Sequence, residues 1–106
     1  MINHRIAPLS GIIAVVGCAT TQRGARPEAG FVPDQATAVR IAEAVWIPIY
    51  GEGIVEQRPY RASLVDGVWR VAGTLHCPGG GICTGGTAYA EISRDDGRIL
   101  FVIHGQ

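Results

Sequence analysis

A chain of 106 residues has room for one domain. Its nine basic residues, every one an Arg, balance nine Asp plus Glu, which excludes the basic excess that a nucleic-acid-binding surface needs to neutralise phosphates. Hydrophobic residues at 47% against charged residues at 17% exclude a disordered chain, and 15 Gly with 6 Pro point to short strands and turns rather than long helices.

The first segment reads as an address. Arg5 supplies a positive tip, residues 6–16 form a short apolar run, and no acidic residue appears before Glu28. The run is within the range of a signal-peptide core and too short to span a bilayer. It ends in Val15-Val16-Gly17-Cys18, which resembles a bacterial lipobox. That resemblance implies cleavage of residues 1–17 as a lipoprotein signal peptide and lipid attachment at Cys18. The competing reading, a core strand at 12–16 with an ordinary thiol at Cys18, sits poorly with a strand starting so near a charged tip. Residues 18–30 then read as the lipidated Cys and a flexible linker, since 19–30 contain no large apolar side chain. Ala19 in place of Asp implies sorting to the outer membrane, facing the periplasm. Several fatty chains on one Cys give stable membrane attachment.

Three Cys is an odd number for an exported protein. Lipid on Cys18 leaves Cys77 and Cys83, which bracket Pro-Gly-Gly-Gly-Ile in a compartment that permits disulfides. Closing that loop contributes about 2 kcal/mol on the loop-entropy account, a useful amount for a domain confined to 31–106.

The domain opens on Phe31-Val32-Pro33-Asp34, with Asp34 suited to cap a helix. Ala38, Ile41, Ala42, Val45 and Ile49 recur at helical spacing. Pro48 predicts that the regular helix ends or kinks near Ile47, and Gly51 completes the stop. Alternation follows. Asp66-Gly67 between 60–65 and 68–76 predicts a two-residue hairpin pairing Val65 with Val68, Leu64 with Trp69, Ala62 with Val71 and Tyr60 with Gly73. A second hairpin turns through 94–97 and predicts Ile92 opposite Ile99, Ala90 opposite Phe101 and Ala88 opposite Ile103. A three-residue turn is disfavoured because it sets Glu91 against Phe101. The sum is an α+β domain: one amphipathic helix on a curved, mostly antiparallel sheet of about four strands. The inner positions are then Ala62, Leu64, Trp69, Val71, Ala90 and Phe101. Trp46, Trp69 and Tyr50 are read as core.

The order of short motifs is similar to one known family. Ile49-Tyr50-Gly51 ends the helix, and Glu56-Gln57-Arg58-Pro59 follows. Then come Leu64-Val65-Asp66-Gly67-Val68-Trp69-Arg70-Val71, Gly73-Thr74-Leu75, Gly85-Gly86-Thr87-Ala88 and Asp96-Gly97-Arg98-Ile99. Across roughly 32–105 this resembles the bacterial polymorphic-toxin immunity proteins with a nuclear transport factor 2-like fold. The resemblance implies a trimmed version of that cone-shaped sheet and a cognate protein toxin as partner. With the lipobox, the toxin is one acting in the envelope. The motifs are structural and carry no catalytic residues across.

Candidate chemistry is sparse. His76, Cys77, Cys83 and His104 contain the donors of a tetrahedral zinc site, but their spacing matches no common zinc pattern, and adjacent strand residues point to opposite faces. The glycine runs at 79–81 and 85–86 lack the Lys-Ser/Thr of a phosphate loop. A Cys77–His104 nucleophile pair is quenched by a disulfide, and Ser63 and Ser93 occupy ordinary strand positions. No cofactor, no metal and no enzyme activity is expected. Arg61 and Arg70, on the face of the first hairpin away from the apolar side, are candidate partner contacts. The function expected is that of an envelope-tethered immunity-type protein that sequesters a toxin or other periplasmic protein stoichiometrically. The alternatives are a small-ligand or enzymatic cone-fold domain, which needs a polar inner residue, and a structural envelope lipoprotein.

Overall fold

The computed structural model describes residues 24–106. The expected signal peptide, residues 1–17, and the expected lipid-attachment site Cys18 therefore lie outside the described residues. Helix α1 spans Gln35–Tyr50, a 3-10 turn Glu52–Gln57, strand β1 Arg61–Val65, β2 Val68–Ala72, a short 3-10 turn Pro78–Gly80, β3 Ala88–Ser93 and β4 Ile99–His104. The four strands form one antiparallel meander in the order β1-β2-β3-β4. Helix α1 covers one face, so the domain is α+β as the alternation predicts.

Local chemistry starts each element where the sequence places it. Asp34 accepts from the Thr37 amide at 2.8 Å and from its hydroxyl at 2.7 Å, and these bonds hold its carboxyl below the usual range. The helix runs three residues past the expected break. Pro48 lies inside it, and the Gly51 N–H donates to the Ile47 carbonyl at 2.7 Å with Gly51 at φ 95°. Pro48 forfeits one backbone bond, and the helix still closes its last turn through the Gly51 cap. The buried stripe is Ala38, Ala42 and Trp46. Ile41 is partly buried against the core, whereas Ile49 is 57% and Tyr50 38% exposed. The expectation that Ile49 and Tyr50 face the core is thereby corrected: by the last turn the helix has passed the edge of its contact face.

The first hairpin has the expected register from Val65↔Val68 through Leu64↔Trp69 to Ala62↔Val71. Asp66 at φ 49° and Gly67 at φ 77° supply the two left-handed residues such a turn requires. Leu64 lies on the helix side but remains 41% exposed, because β1 is an edge strand with a neighbour on one side only.

The second hairpin keeps its four-residue turn, with Ser93 N–H donating to the Arg98 carbonyl at 2.9 Å and Ile92 opposite Ile99. Beyond that pair a β-bulge shifts the register. Ala90 faces Val102, not Phe101, and Ala88 faces His104, not Ile103. The extra residue turns every later β4 side chain over. Val102 packs on the core, while Phe101 and Ile103 are each 48% exposed. Phe101 is therefore removed from the inner set. The buried interior is filled instead by Trp46, Trp69, Val71, Ile92 and Val32 with Ala38, Ala42, Ala88 and Ala90 between them.

The chain before the helix joins this core. Val32 is fully buried, its carbonyl accepts from Trp69 Nε1 at 2.7 Å, and its N–H donates to the Arg94 carbonyl at 3.0 Å. Pro27–Gly30 form a turn, and Gly30 at φ 99° lies against the Arg94 carbonyl where a Cβ has no room. Arg26 pairs with Asp95 on the same corner.

Candidate functional site

Outside the turns and caps, polar side chains among the described residues gather in three places, and two of them serve the fold. The first lies where α1 meets the segment before β1. Arg58 donates twice to Glu43, Nε to Oε2 at 2.8 Å and the second guanidinium nitrogen to Oε1 at 2.7 Å, and the Tyr60 hydroxyl donates to Glu43 Oε2 at 2.5 Å. The Tyr60 ring meets Trp46 edge-on at 5.1 Å. Hydrogen bonds from Arg58 and Tyr60 hold the Glu43 carboxyl below its ordinary range. Burial and the neighbouring carboxylate push the Tyr60 phenol up to about 12. A shallow groove of ≈ 690 Å³ lies over this cluster; Glu43 and Arg58 on its wall are matched to each other, and Arg40 on its rim is exposed.

The second gathering is a junction built around Gln57. Its Oε1 accepts from the Ala88 N–H at 2.8 Å, so its amide nitrogen donates to His104 Nε2 at 2.9 Å. His104 Nδ1 faces the Gly105 carbonyl at 2.8 Å and must carry the ring proton. The arrangement thus assigns both the amide orientation and the tautomer. Gly73 leaves the space Gln57 fills: a Cβ there meets Gln57 Cβ at 2.9 Å. Gly86 lies against Gly105, whose Cα is 2.5 Å from where a Cβ would stand. Thr74 closes the junction through its N–H to the Gln57 carbonyl at 2.7 Å and its hydroxyl to the Pro59 carbonyl at 2.5 Å. The Glu56–Pro59, Gly73–Leu75 and Gly85–Ala88 motifs are therefore three sides of one structural joint. In the sequence Gln57 stands out only as part of the Glu56–Pro59 motif and Glu43 only as a residue of the polar helix face; the strand-exit Gly73 is the signal that something large packs there.

The zinc and nucleophile alternatives find their residues committed elsewhere. Cys77 and Cys83 form a disulfide with Cα atoms 5.4 Å apart. His76 Nε2 donates to the Arg58 carbonyl at 2.6 Å, and His104 belongs to the Gln57 junction. Among the described residues no three His, Cys, Asp or Glu side chains gather as metal donors.

The third gathering is on the sheet face away from α1. Register places Arg61, Ala72, Tyr89 and Ile103 in one cross-strand row and Ser63, Arg70, Glu91 and Phe101 in the next. Arg61 and Arg70 are exposed, as the hairpin alternation predicts. The Tyr89 ring meets Phe101 edge-on at 6.3 Å, and its hydroxyl donates to Glu91 Oε2 at 2.6 Å. Partial burial and that carboxylate raise the Tyr89 phenol above its ordinary value. This face offers mixed polar and apolar contact area, and among the described residues no helix covers it.

Comparison with known proteins follows the same line. A family model described as "NTF2 fold immunity protein" matches residues 37–106. The chain belongs to that family. A relative from Escherichia coli (strain K12), described as "Uncharacterized protein YhhH", is 34% identical over 77 residues, covering 72% of this chain and 58% of its own length. The chain thus spans little more than half of that relative. No solved structure matches. The family resemblance read from the motifs is borne out, and the matched region runs from the first turn of α1 through β4, the unit that the Gln57 junction closes.

Proposed function

We propose that the protein is an immunity protein that neutralises a toxin by stoichiometric binding, without turnover, while attached to the cell envelope through lipid on Cys18. The observation that carries the binding reading is where the reactive side chains go. Both cysteines of the domain are in a disulfide, both described histidines are spent on backbone and amide contacts, and Glu43 is matched by Arg58 and Tyr60. Family membership supplies the class of partner. The lipobox at 15–18 supports the tether and an outer-membrane, periplasm-facing location; among the described residues no helix is long and apolar enough to cross a membrane.

A ligand-enclosing or enzymatic version calls for a polar inner lining. Ser93, at a strand end, is the buried polar residue among those described, and the space between helix and sheet holds Trp, Val, Ile and Ala side chains. The test is dose. Protection of cells from the cognate toxin scales with the molar ratio of this protein to toxin and survives His76→Ala. Protection at far below equimolar amounts, lost on that substitution, overturns the binding reading.

A further inference from the structure

The open sheet face holds a hollow with an unusual balance of charge. Ser63 and Ala72 form its floor, and Arg61, Arg70 and Tyr89 stand around it, enclosing ≈ 530 Å³ open to solvent. Neither guanidinium has a carboxylate within ion-pair distance among the described residues, where Arg26, Arg58 and Arg98 are the arginines that do. Residues 1–23 contain no Asp or Glu to supply one. Glu91, directly across from Arg70, turns its carboxylate to the Tyr89 hydroxyl instead. Beside the hollow runs an apolar ridge of Phe101 and Ile103, each 48% exposed. The bulge in β4 puts both there.

We infer that this hollow and ridge form the docking surface for a partner protein that presents an Asp or Glu side chain next to an aromatic or large aliphatic one. Two guanidinium groups over a floor of small residues suit a carboxylate, which an Arg fork grips through paired N–H bonds. The ridge suits the apolar neighbour, since Arg and aromatic side chains dominate the energetics of protein interfaces. Charge decides the sign of the partner: the hollow is short of negative charge and the ridge has none. The inference rests on the binding reading above and adds where, and to what, the protein binds.

A capped Asp–Phe dipeptide is the probe, titrated into the isotope-labelled full chain in detergent and followed by NMR. The Arg61 and Arg70 side-chain N–H signals and the Ser63 and Ala72 amides are expected to shift together and saturate with a dissociation constant on the order of 1 mM. A capped Asn–Phe dipeptide is expected to bind about ten-fold more weakly, the loss of a charge-assisted pair. Arg61→Gln with Arg70→Gln, and independently Ser63→Glu, which fills the hollow with the chain's own carboxylate, are expected to abolish the shifts while leaving the remaining spectrum in place. Equal shifts from inorganic phosphate alone show a plain anion hollow and overturn the inference. So do equal binding of the Asn dipeptide, shifts confined to other surfaces, or none. Any of those results leaves the molar-ratio test of the binding reading standing, whereas failure of that test leaves the dipeptide result intact.

Discussion

Trp46 and Trp69 both lie in the core, yet they differ in what surrounds the indole nitrogen. Trp69 Nε1 donates to the Val32 carbonyl, while Trp46 Nε1 is buried without a hydrogen-bond partner among the described residues. Replacing either with Phe costs ring volume, but Trp69→Phe also strands a buried carbonyl, whereas Trp46→Phe removes a donor that had no acceptor. Trp69→Phe is therefore expected to destabilise more, by about 1–2 kcal/mol, read from urea unfolding midpoints at equal slope. At the Glu43 cluster the two shifts set two pH limits. The lowered Glu43 carboxyl contributes stability that is present above its ordinary value of 4.5 and is lost as pH falls through its lower folded value. The raised Tyr60 phenol contributes stability that is present below 10.0 and is lost as pH rises through about 12. Tyr60→Phe is expected to flatten the alkaline limb of a stability-versus-pH curve and to remove from the ultraviolet titration a phenol that ionises at about 12.

At the scale of elements, the disulfide closes a loop outside the sheet, so its reduction is expected to lower unfolding stability by about 2 kcal/mol while protection against the toxin persists. Gly86→Ala drives a methyl into the Gly105 backbone, which has no side chain to swing aside, and is expected to cost roughly 1–3 kcal/mol. The elements differ in how much of them the sequence shows. Asp66-Gly67 fixes the first hairpin because a two-residue left-handed turn leaves one register, and all its predicted strand pairs down to Ala62↔Val71 are present. The second turn is equally visible, but the bulge after Ile99 is not. An apolar run of Ile-Leu-Phe-Val-Ile has no polar residue to mark which side faces water, so one inserted residue changes the pairing with no trace in the pattern. The same ambiguity conceals the exposed ridge. Arg61 and Arg70 are visible as outward residues on alternation alone, whereas their neighbours Phe101 and Ile103 need the bulge. The Gln57 junction escapes notice for another reason: its contacts join residues 57, 73, 88 and 104, which no local spacing connects.

For the whole molecule, the tether is the first question. Cys18→Ser is expected to release the protein from membranes and to block processing before residue 18; a mutant that is trimmed and membrane-bound as before excludes the lipid reading. Where such a tether would leave the domain sets how the protein would stand. The Gly30–Val32 strap joins the β3–β4 turn, and Arg94 N–H of that turn donates to the Gly67 carbonyl of the β1–β2 turn at 2.9 Å. Both hairpin tips and the chain's entry are thus at one end of the strands. The disulfide loop, between β2 and β3, is at the other, with Ile82 wholly exposed. An anchored chain would therefore be held by one pole. Arg26 and the Pro27–Gly30 turn are docked on the domain, so the residues between Cys18 and Arg26 would reach at most about 30 Å when extended, a leash roughly one and a half times the length of a typical strand. On such a leash the hairpin tips would face the bilayer, the disulfide loop would face the open compartment, and the Arg61–Arg70 face would be presented side-on. An incoming protein would meet it by travelling along the membrane rather than toward it.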